Sequence, residues 1–269
     1  MLALADCPAA KAGPWSITFS VEEGVPAGWV QVRENNVAGS RLGFQDDLGV
    51  DRAPVQELSL KYRQDPANYW LSTLQSFTLK GTAVPANDVY YNGTTLQAGM
   101  PLSATTGFPD FVRASILRGH RLLSYAGGMS LDGELGLSYT ALTFYISGTE
   151  TPTSVGHETK EDFVTQELPT PTFALQMRYP LRRSLALVTR LEFAYLPWVN
   201  SQRREGGEVR LQQRENQFMV GLRYEISSSV AVSGEGYYRY FHQHERSTED
   251  DNNILLETHG LKLEFNYSF

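Results

Sequence analysis

Five histidines mark most of the places where this chain of 269 residues could do chemistry: His120, His157, His242, His244 and His259. An imidazole beside a hydroxyl and an acid supports hydrolysis, because it takes the proton as the new bond forms. His259 has Glu257 and Ser247 as its nearest acid and hydroxyl by sequence, but no motif ties the three together. His242-Gln243-His244 offers metal chemistry instead. Residues at i and i+2 of a strand point the same way, and with Glu245, Asp250 and Asp251 they could ligate a divalent cation. Acidic segments of this kind are more often simply solvated, so the expectation is no metal, no cofactor and no catalytic residues. Asp46 and Asp47 form another acidic pair, with Gly49 beyond them, and read as a turn at a strand end.

Composition narrows the classes further. A net charge of −7 argues against a nucleic-acid partner. The single cysteine, Cys7, excludes an intrachain disulfide and a Cys-based zinc cluster. Leu4-Ala5-Asp6 before it loosely matches a lipoprotein cleavage box, but Asp directly before the Cys fits poorly, and a dispensable thiol is the simpler account. The opening Met-Leu-Ala-Leu-Ala reads either as the remnant of a removed signal peptide, cleaved near Ala5, or as an arbitrary start. Asn92-Gly93-Thr94 matches a glycosylation sequon. No apolar run approaches the roughly 18–20 residues that a membrane helix needs.

The elements that must position these groups are strands. Alternation with period two dominates and is cleanest at the C-terminus, where Leu261, Leu263, Phe265, Tyr267 and Phe269 share one face. Lys262, Glu264, Asn266 and Ser268 share the other. The same pattern predicts strands near 230–240, 217–226, 185–193, 172–179, 131–141, 112–116 and 57–63, with weaker ones near 69–83 and 40–48. Short links at 227–229, 180–184, 120–128 and 64–68 alternate with long ones near 200–206, 148–162 and 84–109. That parity is what inner turns and outer loops of an up-and-down barrel produce, and a Greek-key sandwich would not keep it.

A terminal strand of alternating apolar residues that finishes on Phe closely resembles the last strand of Gram-negative outer-membrane β-barrels. The resemblance implies recognition of Leu261, Leu263, Phe265, Tyr267 and Phe269 by the barrel assembly machinery, an outer-membrane location, and contact with outer-membrane lipids and lipopolysaccharide. It places His120 at a periplasmic turn, and His242, His244 and His259 nearer the outer rim with lipid-facing parity, His259 across from Tyr240. Some barrels of this kind are hydrolases of the outer leaflet. The omptin-type proteases have a comparable strand count, but no matching Asp and His motif occurs in this chain.

The reading is therefore an all-β, antiparallel, up-and-down transmembrane barrel of about ten strands over residues 38–269, twelve if an N-terminal hairpin joins it. Residues 1–37, with alternation at 15–21 and 29–34, form a periplasmic segment or that extra hairpin. The inward face carries Glu57, Lys61, Arg63, Arg113, Asp132, Glu134, Arg178, Arg190, Glu192, Arg223, Glu225, Glu235, Arg239, Lys262 and Glu264. Charges withdrawn from bulk water must pair or be reached by lumenal water. A mixed-charge network in a mostly filled, polar lumen is expected. The expected role is structural, surface-interacting or narrow-channel, with an outer-leaflet hydrolase as the alternative.

Overall fold

The computed structural model describes residues 13–33, 38–125, 127–152, 160–162, 169–202, 208–248 and 251–269. Cys7, His157 and Asp250 lie outside them. Ten long strands form the wall: β1 (Trp15–Gln31), β2 (Val55–Arg63), β3 (Asn68–Phe77), β4 (Phe111–Ser124), β5 (Ser130–Ser147), β6 (Thr170–Arg182), β7 (Leu185–Gln202), β8 (Glu208–Glu225), β9 (Val230–Arg246) and β10 (Asp251–Ser268). Each pairs antiparallel with its chain neighbours, and β1 pairs with β10, so the sheet closes. Closure leaves no sheet edge to lipid, which is the condition a strand protein must meet to span a bilayer.

Ten strands is the expected number, but one member differs. The stretch 40–48, expected as a strand, contributes only Leu42–Gly43 to the sheet. Asp47 then accepts a hydrogen bond from the Gly43 N–H at 2.7 Å, and the chain turns through Gly49 at φ 63°. Its place in the wall is taken by β1, so the barrel begins at Trp15 and the boundary at residue 38 is corrected. The two N-terminal alternations are one continuous strand, in register with β10 from Ser16↔Ser268 to Gln31↔Asn253. Pro26 does not break it. Gly24 turns its carbonyl toward the β2 side, where it accepts from the Ala53 N–H; Pro26, two residues on, faces the same way. β2 has already ended at Val55↔Glu22, so the missing N–H removes no ladder bond.

The outward face is apolar, with Leu58, Leu74, Ile116, Leu135, Leu261 and Leu263 all exposed. At the end holding Trp15 and Phe269, an aromatic rim includes Tyr62, Trp70, Tyr224 and Tyr267, with the Trp15 and Tyr62 rings 4.6 Å apart. Tyr139, Tyr195, Tyr238 and Tyr240 stand on the outward face nearer the other end. An apolar belt between aromatic girdles is the signature of a barrel in lipid. The short links from Arg63 to Asn68, Ser124 to Ser130, Arg182 to Leu185 and Glu225 to Val230 all lie at the end holding Trp15 and Phe269, and short turns mark the periplasmic end of such a barrel. The long connections emerge at the outer end.

Two of those connections send apolar side chains inward. From 38–54 come Leu42, Phe44, Leu48 and Val50, and from 78–110 come Leu79, Val89, Tyr91, Leu96 and Leu102. They meet the inward faces of the wall at Phe77, Phe111, Leu142, Phe144, Phe241 and Leu256. Phe44, Leu48 and Phe144 are fully buried. The Phe44 and Phe144 rings meet edge to face at 5.9 Å, and the Tyr91 hydroxyl donates to the Phe144 carbonyl at 3.0 Å. Each such side chain contributes roughly 1.5–3 kcal/mol by leaving water. The lumen is mostly filled, as expected, but its outer half is filled by hydrocarbon.

Candidate functional site: the charged lumen

Below the apolar plug the lumen is charged, and alternation alone puts the charges there. β2, β4, β7 and β10 turn Glu57, Arg113, Glu192 and Lys262 inward because their neighbours in sequence are the lipid-facing residues. Directly under the plug, Arg113 bridges Glu192 at 2.7 Å and Glu215 at 2.6 Å. Arg190 bridges Glu134 at 2.6 Å and Glu192 at 2.7 Å. Tyr69 donates to Glu134 at 2.6 Å, and its ring lies over Gly119, where a Cβ would meet the ring at 2.1 Å. Arg239 reaches Glu22 at 3.1 Å while its guanidinium stacks 4.8 Å from the Phe77 ring, at the floor of the plug.

A second cluster surrounds Lys262. Its ammonium lies 3.0 Å from Glu57, 3.0 Å from Glu264 and 3.7 Å from Glu22. Gln75 donates to Glu57 at 2.6 Å, and Ser233 donates to Glu264 at 3.1 Å. Glu235 is opposite Lys262 in the sheet register and is buried beside it. Toward the periplasm, Arg121 pairs with Asp132, Arg178 pairs with Glu225 at 2.5 Å, and Arg223 donates to Asn266 at 2.9 Å. Lys61 places its ammonium 3.5 Å from the Tyr69 ring centroid, and Arg63 stands exposed at the rim. A cavity of about 440 Å³, lined by these periplasmic-side groups, opens among them.

The inward residues named from sequence thus face one lumen. Glu22, Arg121 and Glu215 complete it and were missed. Glu22 belongs to β1, and Glu215 continues the inward series of Gln217 just past the expected start of β8. Arg121 sits beside a bulge that shifts the β4–β5 register between Leu131 and Asp132, where simple parity fails.

The histidines do not assemble a comparable centre. His259 is opposite Tyr238, not Tyr240, which faces Glu257. Ser247 lies nine residues beyond Tyr238, just past the end of β9, roughly 30 Å away at the rise of a β-strand. His242 and His244 point outward, whereas Glu245 is buried on the opposite face. Their partners are local: His242 meets Asn253 at 2.9 Å and His244 meets Asp251 at 2.6 Å, with Arg246 on the second Asp251 oxygen at 3.2 Å. Among the described residues no three metal-ligating side chains gather. His120 sits near the periplasmic end of β4, 2.9 Å from the Asn68 side chain.

No family model matches the chain, and no curated protein matches its sequence. Solved structures do. The outer membrane protease OmpT from Escherichia coli aligns over 97% of this chain and 99% of its own, with a TM-score of 0.50 at 13% identity. The translocator domain of the autotransporter NalP from Neisseria meningitidis aligns over 97% of this chain and 90% of its own, at 11% identity and a TM-score of 0.43. An outer membrane channel from Pseudomonas putida F1 covers both chains completely, at 11% identity and a TM-score of 0.39. At such identities the likeness is one of fold. The closed wall, the lipid-facing belt and the likeness to the outer membrane protease agree: this chain has the fold of a Gram-negative outer-membrane β-barrel.

Proposed function

We propose that this barrel serves the outer membrane in a structural or surface-interaction role and is not an open diffusion pore. The observation that carries the reading is the apolar seal. Phe77 and Phe111 stack at 4.4 Å, Phe111 lies 6.2 Å from Phe241, and Phe44, Leu48 and Phe144 close the space above them. An ion crossing that layer would exchange its hydration for hydrocarbon, a cost of several kcal/mol or more. A narrow channel would require the seal to move.

The proposed partners lie on the outside. Arg210 and Arg214 stand outward beyond the apolar belt, each 5.7 Å from an aromatic ring (Trp198 and Tyr240), where lipopolysaccharide phosphates would meet them. Phe108, 73% exposed on an outer loop, offers apolar surface to a partner. The strand 261–269 supplies the assembly signal. Reconstitution into planar bilayers tests the reading: the wild-type protein is expected to stay silent, and steady conductance would overturn the proposal.

A further inference from the structure

The lumen separates charge along its axis. Deep in it, four carboxylates, Glu22, Glu57, Glu235 and Glu264, outnumber the cations Lys262 and Arg239. At the periplasmic mouth the balance reverses. There Lys61, Arg63, Arg121, Arg178 and Arg223 line the 440 Å³ cavity against Asp132 and Glu225, in a protein whose net charge is −7. Three of those cations, Lys61, Arg63 and Arg223, make no ion pair among the described residues. Lys61 has a tyrosine face and Arg223 a neutral amide, and both leave donors unspent.

We infer that this vestibule is a binding site for a small soluble polyanion carrying phosphate or carboxylate groups, taken up from the periplasm. The rim residues Ser16, Gly128, Ser228 and Ser268 place the opening on the periplasmic side, and the barrel wall separates it from lipid headgroups. The volume falls within the roughly 300–1,000 Å³ usual for small-molecule pockets. Guanidinium forks suit phosphate and carboxylate oxygens, and the deeper acids keep an anion from descending toward the seal. The site dead-ends, so it binds and does not conduct. It is independent of what the outer surface contacts.

Calorimetric titration of the purified barrel in a nonionic detergent tests this, with pyrophosphate and citrate as separate probes and acetate as the singly charged control. Saturable binding of one pyrophosphate or citrate per barrel is expected, weakening as salt is raised, with acetate inert. The triple variant Lys61→Gln, Arg63→Gln, Arg223→Gln should bind at least tenfold more weakly. A charge-matched variant, Arg118→Gln, Arg182→Gln, Arg183→Gln, removes three cations that do not line the cavity and should bind as wild type. Heat-modifiable gel migration confirms that each variant is folded. No saturable binding of either polyanion, or an equal loss in both variants, would overturn the assignment.

Discussion

The two halves of one lumen are filled by opposite means. In the outer half, loop residues such as Phe44, Leu48 and Tyr91 pack against inward phenylalanines, and stability there comes from removing hydrocarbon from water. In the periplasmic half the wall itself supplies ions, which must be paired because each costs several kcal/mol to desolvate. The first half closes the barrel. The second is polar and leaves a cavity of about 440 Å³ open toward the periplasm. A barrel needs only alternation to stay in lipid, so its interior can hold either kind of filling, layer by layer.

Breaking the apolar half should have the largest effect. Phe44→Ala with Phe144→Ala removes a ring pair from a fully buried site, at roughly 3–5 kcal/mol for each ring. The urea unfolding midpoint is expected to fall sharply, and bilayers that were silent should conduct. An unchanged midpoint with continued silence would mean that this pair does not hold the seal.

Breaking the charged half should cost less. Lys262→Met leaves Glu57, Glu264 and Glu22 without their shared ammonium, and stranding a buried ion network costs about 3–5 kcal/mol. Adding Glu57→Gln should restore part of that stability, since it removes one of the stranded charges. If the double variant is no more stable than the single one, then lumenal water, not Lys262, neutralises these acids.

The smallest effect belongs to the periplasmic rim that supports this half. Asp65 accepts hydrogen bonds from the Asn68 side chain at 2.8 Å and from the backbone N–H groups of Ala67 and Asn68 at 2.8 and 2.9 Å. The Asn68 amide, then these backbone donors, hold its carboxyl below the ordinary value of 3.8. Its contribution to the turn is therefore complete above that value and is lost as pH falls through the lower folded one. Asp65→Asn should unfold slightly more easily than wild type near neutrality, and the two midpoints should converge in strong acid. A gap that persists in acid would show that the charge is not what holds the turn.

Much of this was legible in the residues. Lys262 and Glu264 alternate with Leu261, Leu263 and Phe265, and a period of two has only two faces to assign. One strand end therefore implied both the lipid belt and the charged interior, and the short and long links gave the strand parity. The partners within the lumen were not legible, because Arg113 meets Glu215 across 102 residues of sequence.

What the sequence determined by itself was membrane insertion, a wall of about ten strands and the list of inward charges, all carried by local alternation. Only the tertiary structure decided which segment became the first strand and what fills the outer lumen. Leu42 and Phe44 alternate just as Ile17 and Phe19 do. Lipid and a packed core are equally apolar, so neither composition nor period distinguishes them. Asp47 turning the chain at Gly43, and the uninterrupted ladder from Ser16 to Gln31, sent one segment into the plug and the other into the wall.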